Sequence, residues 1–150
     1  MILQYHMLRG NDYPPLRANP SDAGLDLRWT PSEEAEVALS IAPGESILVP
    51  TGCVFGIPHG YMMEIKNKSG IASKRGLLVG ACVVDRGYTG EIFVNLHNVT
   101  HRNQTIHDGD KIAQAVFVKI TTDVELVESD NIYDDQTSRG AGALGSTGDR

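Results

Sequence analysis

The chain has 150 residues, 41% of them hydrophobic and 21% charged, with a net charge of −6 and a pI near 5.2. That is the profile of one globular domain with enough chain for a real core. The acidic balance excludes broad binding to duplex DNA or RNA, which needs a basic footprint. The longest apolar run, 77–84, is interrupted by Gly80 and falls far short of the ~20 residues of a membrane helix. A nucleotide substrate stays open, because local lysines, arginines and backbone amides can hold phosphates within an acidic protein. Two cysteines, Cys53 and Cys82, offer neither a disulfide framework nor a metal spacing and read as buried thiols.

In chain order, residues 2–8 read as a first strand, with no signal-peptide layout at the N-terminus. Strand-like segments follow at 25–29, 37–41, 46–49, 53–57, 61–66, 77–84, 91–97, 112–120 and 124–127. Pro14-Pro15, Pro43-Gly44, Pro58-His59-Gly60 and Asp108-Gly109-Asp110 punctuate them, and residues 30–36 form a polar loop. This spacing predicts an all-β sandwich or barrel. The exception is Ser69–Gly76, a single short helix that Ser69 can cap and Gly76 can end, with Ile71 and Ala72 facing inward. Between the strands at 77–84 and 91–97 lies Asp85-Arg-Gly-Tyr88-Thr-Gly90, which predicts a β-hairpin turn. On the second strand Ile92, Val94 and Leu96 share one face, and Phe93, Asn95 and His97 the other. Residues 129–150 hold four aspartates and a run of glycines, and few large apolar side chains. They predict a segment that does not fold alone, either a plain disordered tail or an arm that orders on a ligand.

Asp85 stands where an apolar strand meets its turn. It suits either a cap on turn amides or a base that takes a proton from water. Tyr88 suits packing over the hairpin or a wall for a ligand. Ser69 and Gly70 open the short helix, where amides bind phosphate, and Lys68 adds charge beside them; an exposed turn and cap is the plainer reading. Gln114 is polar in the apolar run Ile112–Val118 and needs partners, either a neighbouring backbone or a ligand. Arg139, followed by glycines, Ser146 and Thr147, has a phosphate-gripping composition. The five histidines show no catalytic or zinc spacing.

Five segments, taken together and in order, resemble the signature motifs of the trimeric dUTP diphosphatases (dUTPases). They are Asp22-Ala-Gly-Leu-Asp26-Leu, Asn67-Lys68-Ser69-Gly70-Ile-Ala, Gly80-Ala-Cys-Val-Val-Asp85-Arg-Gly-Tyr88-Thr-Gly90, Gly109-Asp110-Lys111-Ile-Ala-Gln114 and Arg139-Gly-Ala-Gly-Ala-Leu144-Gly145-Ser146-Thr147-Gly148. The resemblance covers nearly the whole chain. It implies a distorted jelly-roll with a flexible glycine-rich C-terminal arm, 1–128 forming the β domain and 129–150 the arm that completes the site. It implies hydrolysis of dUTP to dUMP and pyrophosphate, which limits uracil in DNA and supplies dUMP for thymidylate synthesis.

On this resemblance Asp85 is the water-activating acid. The backbone of Cys82, Val83 and Val84 reads uracil, Tyr88 stacks on the sugar, and Phe93 is placed with them. Lys68, Ser69, Gly70 and Gln114 meet the phosphates, and Arg139, Leu144, Gly145, Ser146 and Thr147 close over the nucleotide. Mg²⁺ is the implied cofactor, with Asp26 touching it only through water. A homotrimer with sites at subunit interfaces is implied, in the cytoplasm of a cell or an infected host, with neither nucleic acid nor membrane as partner. Four positions depart from the family pattern, one of them Cys82, which stands where the family often has glycine and tightens the approach to uracil. Lys68 replaces a usual arginine and loses its bidentate fork. Leu144 replaces the aromatic that stacks on the base. Gly87 replaces an acid. A dCTP deaminase-like relative is the rival enzyme, although the zinc-deaminase signature is absent. A nucleotide-sensing protein on the same scaffold is the rival of another class.

Overall fold

A computed structural model describes residues 2–9, 13–32, 37–130, 132 and 140. Its elements are β1 (Gln4–Met7), β2 (Leu25–Arg28), β3 (Ala38–Ile41), β4 (Ser46–Pro50), β5 (Cys53–Gly56), β6 (Tyr61–Lys66), α1 (Ser69–Arg75), β7 (Leu77–Val79), β8 (Val83–Val84), β9 (Phe93–Asn98), β10 (Gln104–His107) and β11 (Lys111–Lys119). A four-stranded sheet runs β2-β11-β6-β8 and a three-stranded sheet β4-β9-β7, with two-stranded pairs β1-β5 and β10-β3. All these pairings are antiparallel. The period-2 alternation of each strand turns one apolar row inward. Leu27, Met63, Ile65, Ala113 and Ala115 of the larger sheet meet Val49, Leu77, Val94 and Leu96 of the other in one core, with Trp29, Ile41, Phe55 and Ile106 around them. The fold is all-β and jelly-roll-like, with one short helix. Among the described residues, no helix is long and apolar enough to cross a membrane.

The expected hairpin at 85–90 is built differently. Its two arms pair only at their far ends, away from the turn. β7 pairs with β9, Leu77 opposite Asn98 and Val79 opposite Leu96, and Gly80 N–H still donates to Asn95 O at 2.9 Å. The chain then leaves that sheet, and Val83–Val84 join the edge of the other one, opposite Glu64 and Met63 of β6. Gly80 makes the departure possible: a Cβ there would lie 2.2 Å from Asn95 Oδ1 and 2.3 Å from His97 Nε2.

The helix spans Ser69–Arg75 and ends where Gly76 takes φ 60°, a left-handed conformation that glycine adopts without strain. Its N-cap is Lys68, with no side-chain cap bond, so Ser69 does not cap it. Ile71 packs against the core from a partly buried position. Residues 124–127 are no strand: Val124, Leu126 and Val127 are exposed and unpaired in any sheet. Asp123, Glu125 and Glu128 interleave with them, so burying this segment would strand carboxylates away from water. β10 had no counterpart in the sequence reading, since Ile106 is its one buried residue.

Candidate functional site

β8 is the outer strand of its sheet. Ile65 N–H donates to Cys82 O at 2.7 Å. In an antiparallel ladder hydrogen-bonded and non-bonded pairs alternate, so Met63–Val84 is the next bonded pair. The Cys82 carbonyl and Val84 therefore face β6, while the N–H and C=O of Val83 point to the open edge. Of the three backbone segments expected to read a ligand, Val83 alone offers both a free donor and a free acceptor.

Beyond Val84 the chain turns, Tyr88 N–H donating to Asp85 O at 3.0 Å. A pocket of about 240 Å³ opens here, lined by Ile65, Val84, Ile92 and Phe93 with Asp85 and Tyr88 at its wall. The Asp85 side chain is exposed and so keeps contact with water. The Tyr88 hydroxyl donates to Glu91 O at 2.7 Å. The ring lies so close over Gly90 that a Cβ there would stand 2.6 Å from its oxygen. An apolar slot, one free backbone donor–acceptor pair and one carboxylate suit a flat heterocycle with water at its side.

A second cluster forms on β2, β11 and the end of β6. Asp26 is buried, and both its oxygens are taken: Oδ1 by Lys68 Nζ and Oδ2 by Lys111 Nζ at 2.6 Å. Burial pushes its carboxyl pKa up, but hydrogen bonds and charge from Lys111 and Lys68 outweigh burial and hold it below the usual value. Gln114 lies opposite both Asp26 and Lys66 and donates through Nε2 to Asn67 O at 2.9 Å. Gly24 packs on Gln114, where a Cβ would stand 2.4 Å from Oε1. Segments one, two and four of the sequence thus converge. Their cations, Lys68 and Lys111, outnumber the single carboxylate between them.

The two clusters do not meet within one chain. From the Gln114 row to Asp85 is two strand spacings across and about four residues along β6, on the order of 17 Å from regular sheet dimensions. Ser69 and Gly70 are exposed at the start of α1, beside Lys68. Arg139, Leu144, Gly145, Ser146 and Thr147 lie outside the described residues. No group of three or more His, Cys, Asp or Glu able to hold a metal occurs among the described residues. With both oxygens on ammonium groups, Asp26 does not suit direct ligation of a cation.

Sequence reasoning missed Lys111, Glu91 and Arg9. Lys111 lies in the fourth segment, but a bulge between Lys111 and Ala113 breaks the alternation that would have placed it beside Gln114. Glu91 carried a signal, an acid at the head of an apolar strand, which needs a buried partner. Arg9, that partner, lies 82 residues away and carried none.

A family model for dUTPase matches residues 13–148. The chain is similar to a deoxyuridine 5'-triphosphate nucleotidohydrolase of Maricaulis maris, 38% identical over 89% of this chain and 86% of the relative. Among solved structures it is similar to the dUTPase of Staphylococcus bacteriophage 80alpha with dUpNHpp, at 26% identity and TM-score 0.85 over 98% of both chains. It is also similar to a mutant dUTPase from phage phi11 of S. aureus, which coordinates a structural Mg(II) ion, at 25% identity and TM-score 0.77 over 88% of this chain and 99% of that one.

Proposed function

The chain belongs to the dUTPase family and hydrolyses dUTP, and from that premise we propose how its residues divide the work. Asp85 accepts a proton from water and aims the resulting oxygen at the α-phosphorus, releasing dUMP and pyrophosphate. The outward N–H and C=O of Val83 read the base. Uracil presents an acceptor and a ring N–H donor to such a pair, whereas cytosine presents an acceptor at the ring nitrogen and opposes the carbonyl. A site that leaves buried partners unpaired discriminates by up to ~10⁴–10⁵. Thymine differs by one methyl, so its exclusion is steric. Tyr88 walls the sugar, and Phe93 and the apolar lining cover the base.

Lys68 and Gln114, with the amides of Ser69 and Gly70, hold the triphosphate. Asp85 must lie within one water of the phosphorus, and a separation on the order of 17 Å places the phosphate holders of the same chain beyond that reach. One nucleotide is therefore met by Asp85 of one subunit and by Lys68 and Gln114 of another, which supports a homotrimer with interfacial sites. Mg²⁺ would be held by the triphosphate itself, with Asp26 reaching it only through water, and would supply charge that offsets part of the phosphates' own. Arg139, with Leu144, Gly145, Ser146 and Thr147, closes over the nucleotide by virtue of its composition. The free thiols Cys53 and Cys82 suit a reducing, cytoplasmic setting.

The observation that carries this reading is the carboxylate of Asp85 at the wall of an apolar pocket beside the open backbone edge of Val83. The test is pyrophosphate release from a panel of deoxynucleoside triphosphates with Mg²⁺, using the full chain and Asp85→Asn. Release from dUTP alone, abolished in the variant while dUTP binding persists, is expected. Comparable turnover by Asp85→Asn refutes the base assignment, and dUTP or dUMP formed from dCTP supports the deaminase rival.

A further inference from the structure

Behind the pocket, three separate parts of the chain meet at Glu91. Its carboxylate takes a forked contact from Arg9, Nη1 donating to Oε2 at 3.2 Å and Nη2 to Oε1. The same Oε1 accepts from Gly52 N–H at 2.7 Å. The Glu91 carbonyl holds the Tyr88 hydroxyl, and Glu91 itself lines the pocket. The side chain of Glu91 is 12% exposed and that of Arg9 27%, so the pair is shielded and its geometry matters more than that of a surface ion pair. The connection continues on both sides. Leu8 N–H donates to Gly52 O at 2.7 Å, and Ile92 exchanges bonds with Thr51 and Cys53.

The chain between Asp85 and Glu91 is short and exposed, with few contacts of its own. Its far end is fixed by β8. Its near end is fixed by Ile92 and by the Glu91 carboxylate. The height of the Tyr88 ring over Gly90 is set by where the Glu91 carbonyl lies, since that carbonyl holds the hydroxyl. The carboxylate of the same residue decides how firmly that carbonyl is anchored.

We infer that the Arg9–Glu91 ion pair is a positioning device for Tyr88, and through it a determinant of the choice of deoxyribose over ribose. The inference rests on Tyr88 as the sugar wall. Excluding a 2′-hydroxyl is a steric decision over the width of one oxygen atom. A ring that drifts by that amount admits ribose, although the acid, the base edge and the phosphate holders are unchanged. Arg9 does not line the pocket, and the Arg9–Glu91 contact acts through the ring rather than on the reacting atoms.

The experiment compares kcat/KM for dUTP and UTP in the full chain with Mg²⁺, alongside thermal melting, for Glu91→Gln, Arg9→Met, Arg9→Lys and the control Tyr88→Ala. Glu91→Gln and Arg9→Met should lower the dUTP-over-UTP ratio about tenfold, the scale on which small misplacements act, and Arg9→Met should keep kcat on dUTP within about threefold. Arg9→Lys keeps the charge without the fork and should recover part of the ratio while remaining folded. If Tyr88→Ala lowers the ratio but the Arg9 and Glu91 variants leave it within about twofold, whatever their melting temperatures, the inference fails and the reading of Tyr88 stands. If Tyr88→Ala itself leaves the ratio unchanged, the reading of Tyr88 fails, and with it this inference.

Discussion

Gly24→Ala separates the phosphate cluster from the stability of the fold. The new Cβ would stand 2.4 Å from Gln114 Oε1 and 3.0 Å from both Cβ and Cδ of Gln114. The amide end can swing, but doing so breaks the bond from Nε2 to Asn67 O, worth about 1 kcal/mol. The displaced side chain leaves its rotamer well at a further ~1 kcal/mol. Gly24 has no positive φ, so alanine recovers about 0.4–1 kcal/mol by restricting the unfolded chain. The net loss is about 1 kcal/mol, which lowers Tm by roughly 2–4 °C in a chain of this size. Turnover should fall far more, by about a hundredfold, because Gln114 no longer presents its amide to the phosphate. Differential scanning and pyrophosphate release measure the two effects. In a Gln114→Ala background only the 3.0 Å approach to Cβ remains, so Gly24→Ala should cost much less there. Full turnover in the single variant, or an equal stability loss in both backgrounds, refutes the packing of Gly24 on Gln114.

Asp26 has a depressed pKa in the folded chain. Its stabilising contribution is therefore complete above the unfolded value, near ~3.9, and is lost as pH falls through the lower folded value. The melting temperature should drop more steeply below pH ~4 in the wild type than in Asp26→Asn, and parallel acid limbs would contradict this. At neutral pH the same variant leaves Lys68 and Lys111 unopposed, and a loss of about 1–3 kcal/mol should appear in urea titration. Gly80→Ala drives a Cβ to 2.2 Å from Asn95 Oδ1 and should cost about 2 kcal/mol; an unchanged urea midpoint refutes the close approach. Burial, with a smaller part from the charge of Glu91, pushes the Cys53 thiol up to about 12. Iodoacetamide at pH 8 should spare Cys53 until urea unfolds the chain, and peptide mapping that finds it alkylated in native buffer would overturn that.

The sequence announced most strands because alternation is a property of each strand alone. Ile92, Val94 and Leu96 all face inward where the period-2 pattern put them. It could not announce partners. The apolar run 77–84 reads as one strand because nothing in Leu-Leu-Val-Gly-Ala-Cys-Val-Val says that its two ends hydrogen-bond to different sheets. β10 was hidden because one buried side chain makes no period, and 124–127 was over-read because alternation without an available edge is not a strand. For the site, the acid of the turn and the glutamine in an apolar strand were visible as residues out of place. The lysine pair on Asp26 and the fork from Arg9 were not, since both depend on contacts between distant segments.

The detour from β7 through β8 to β9 gives the nucleotide slot an unusual mechanical position. The polypeptide leaves one layer of the sandwich, is stitched to the other by Ile65 and Val84, and returns. Prising the layers apart would strain this seam and move Val83 and Asp85 together away from the apolar wall at Ile65. Turnover is thereby a gauge of closure of the whole body, and the amide of Ile65 should exchange its hydrogen only when the two layers part.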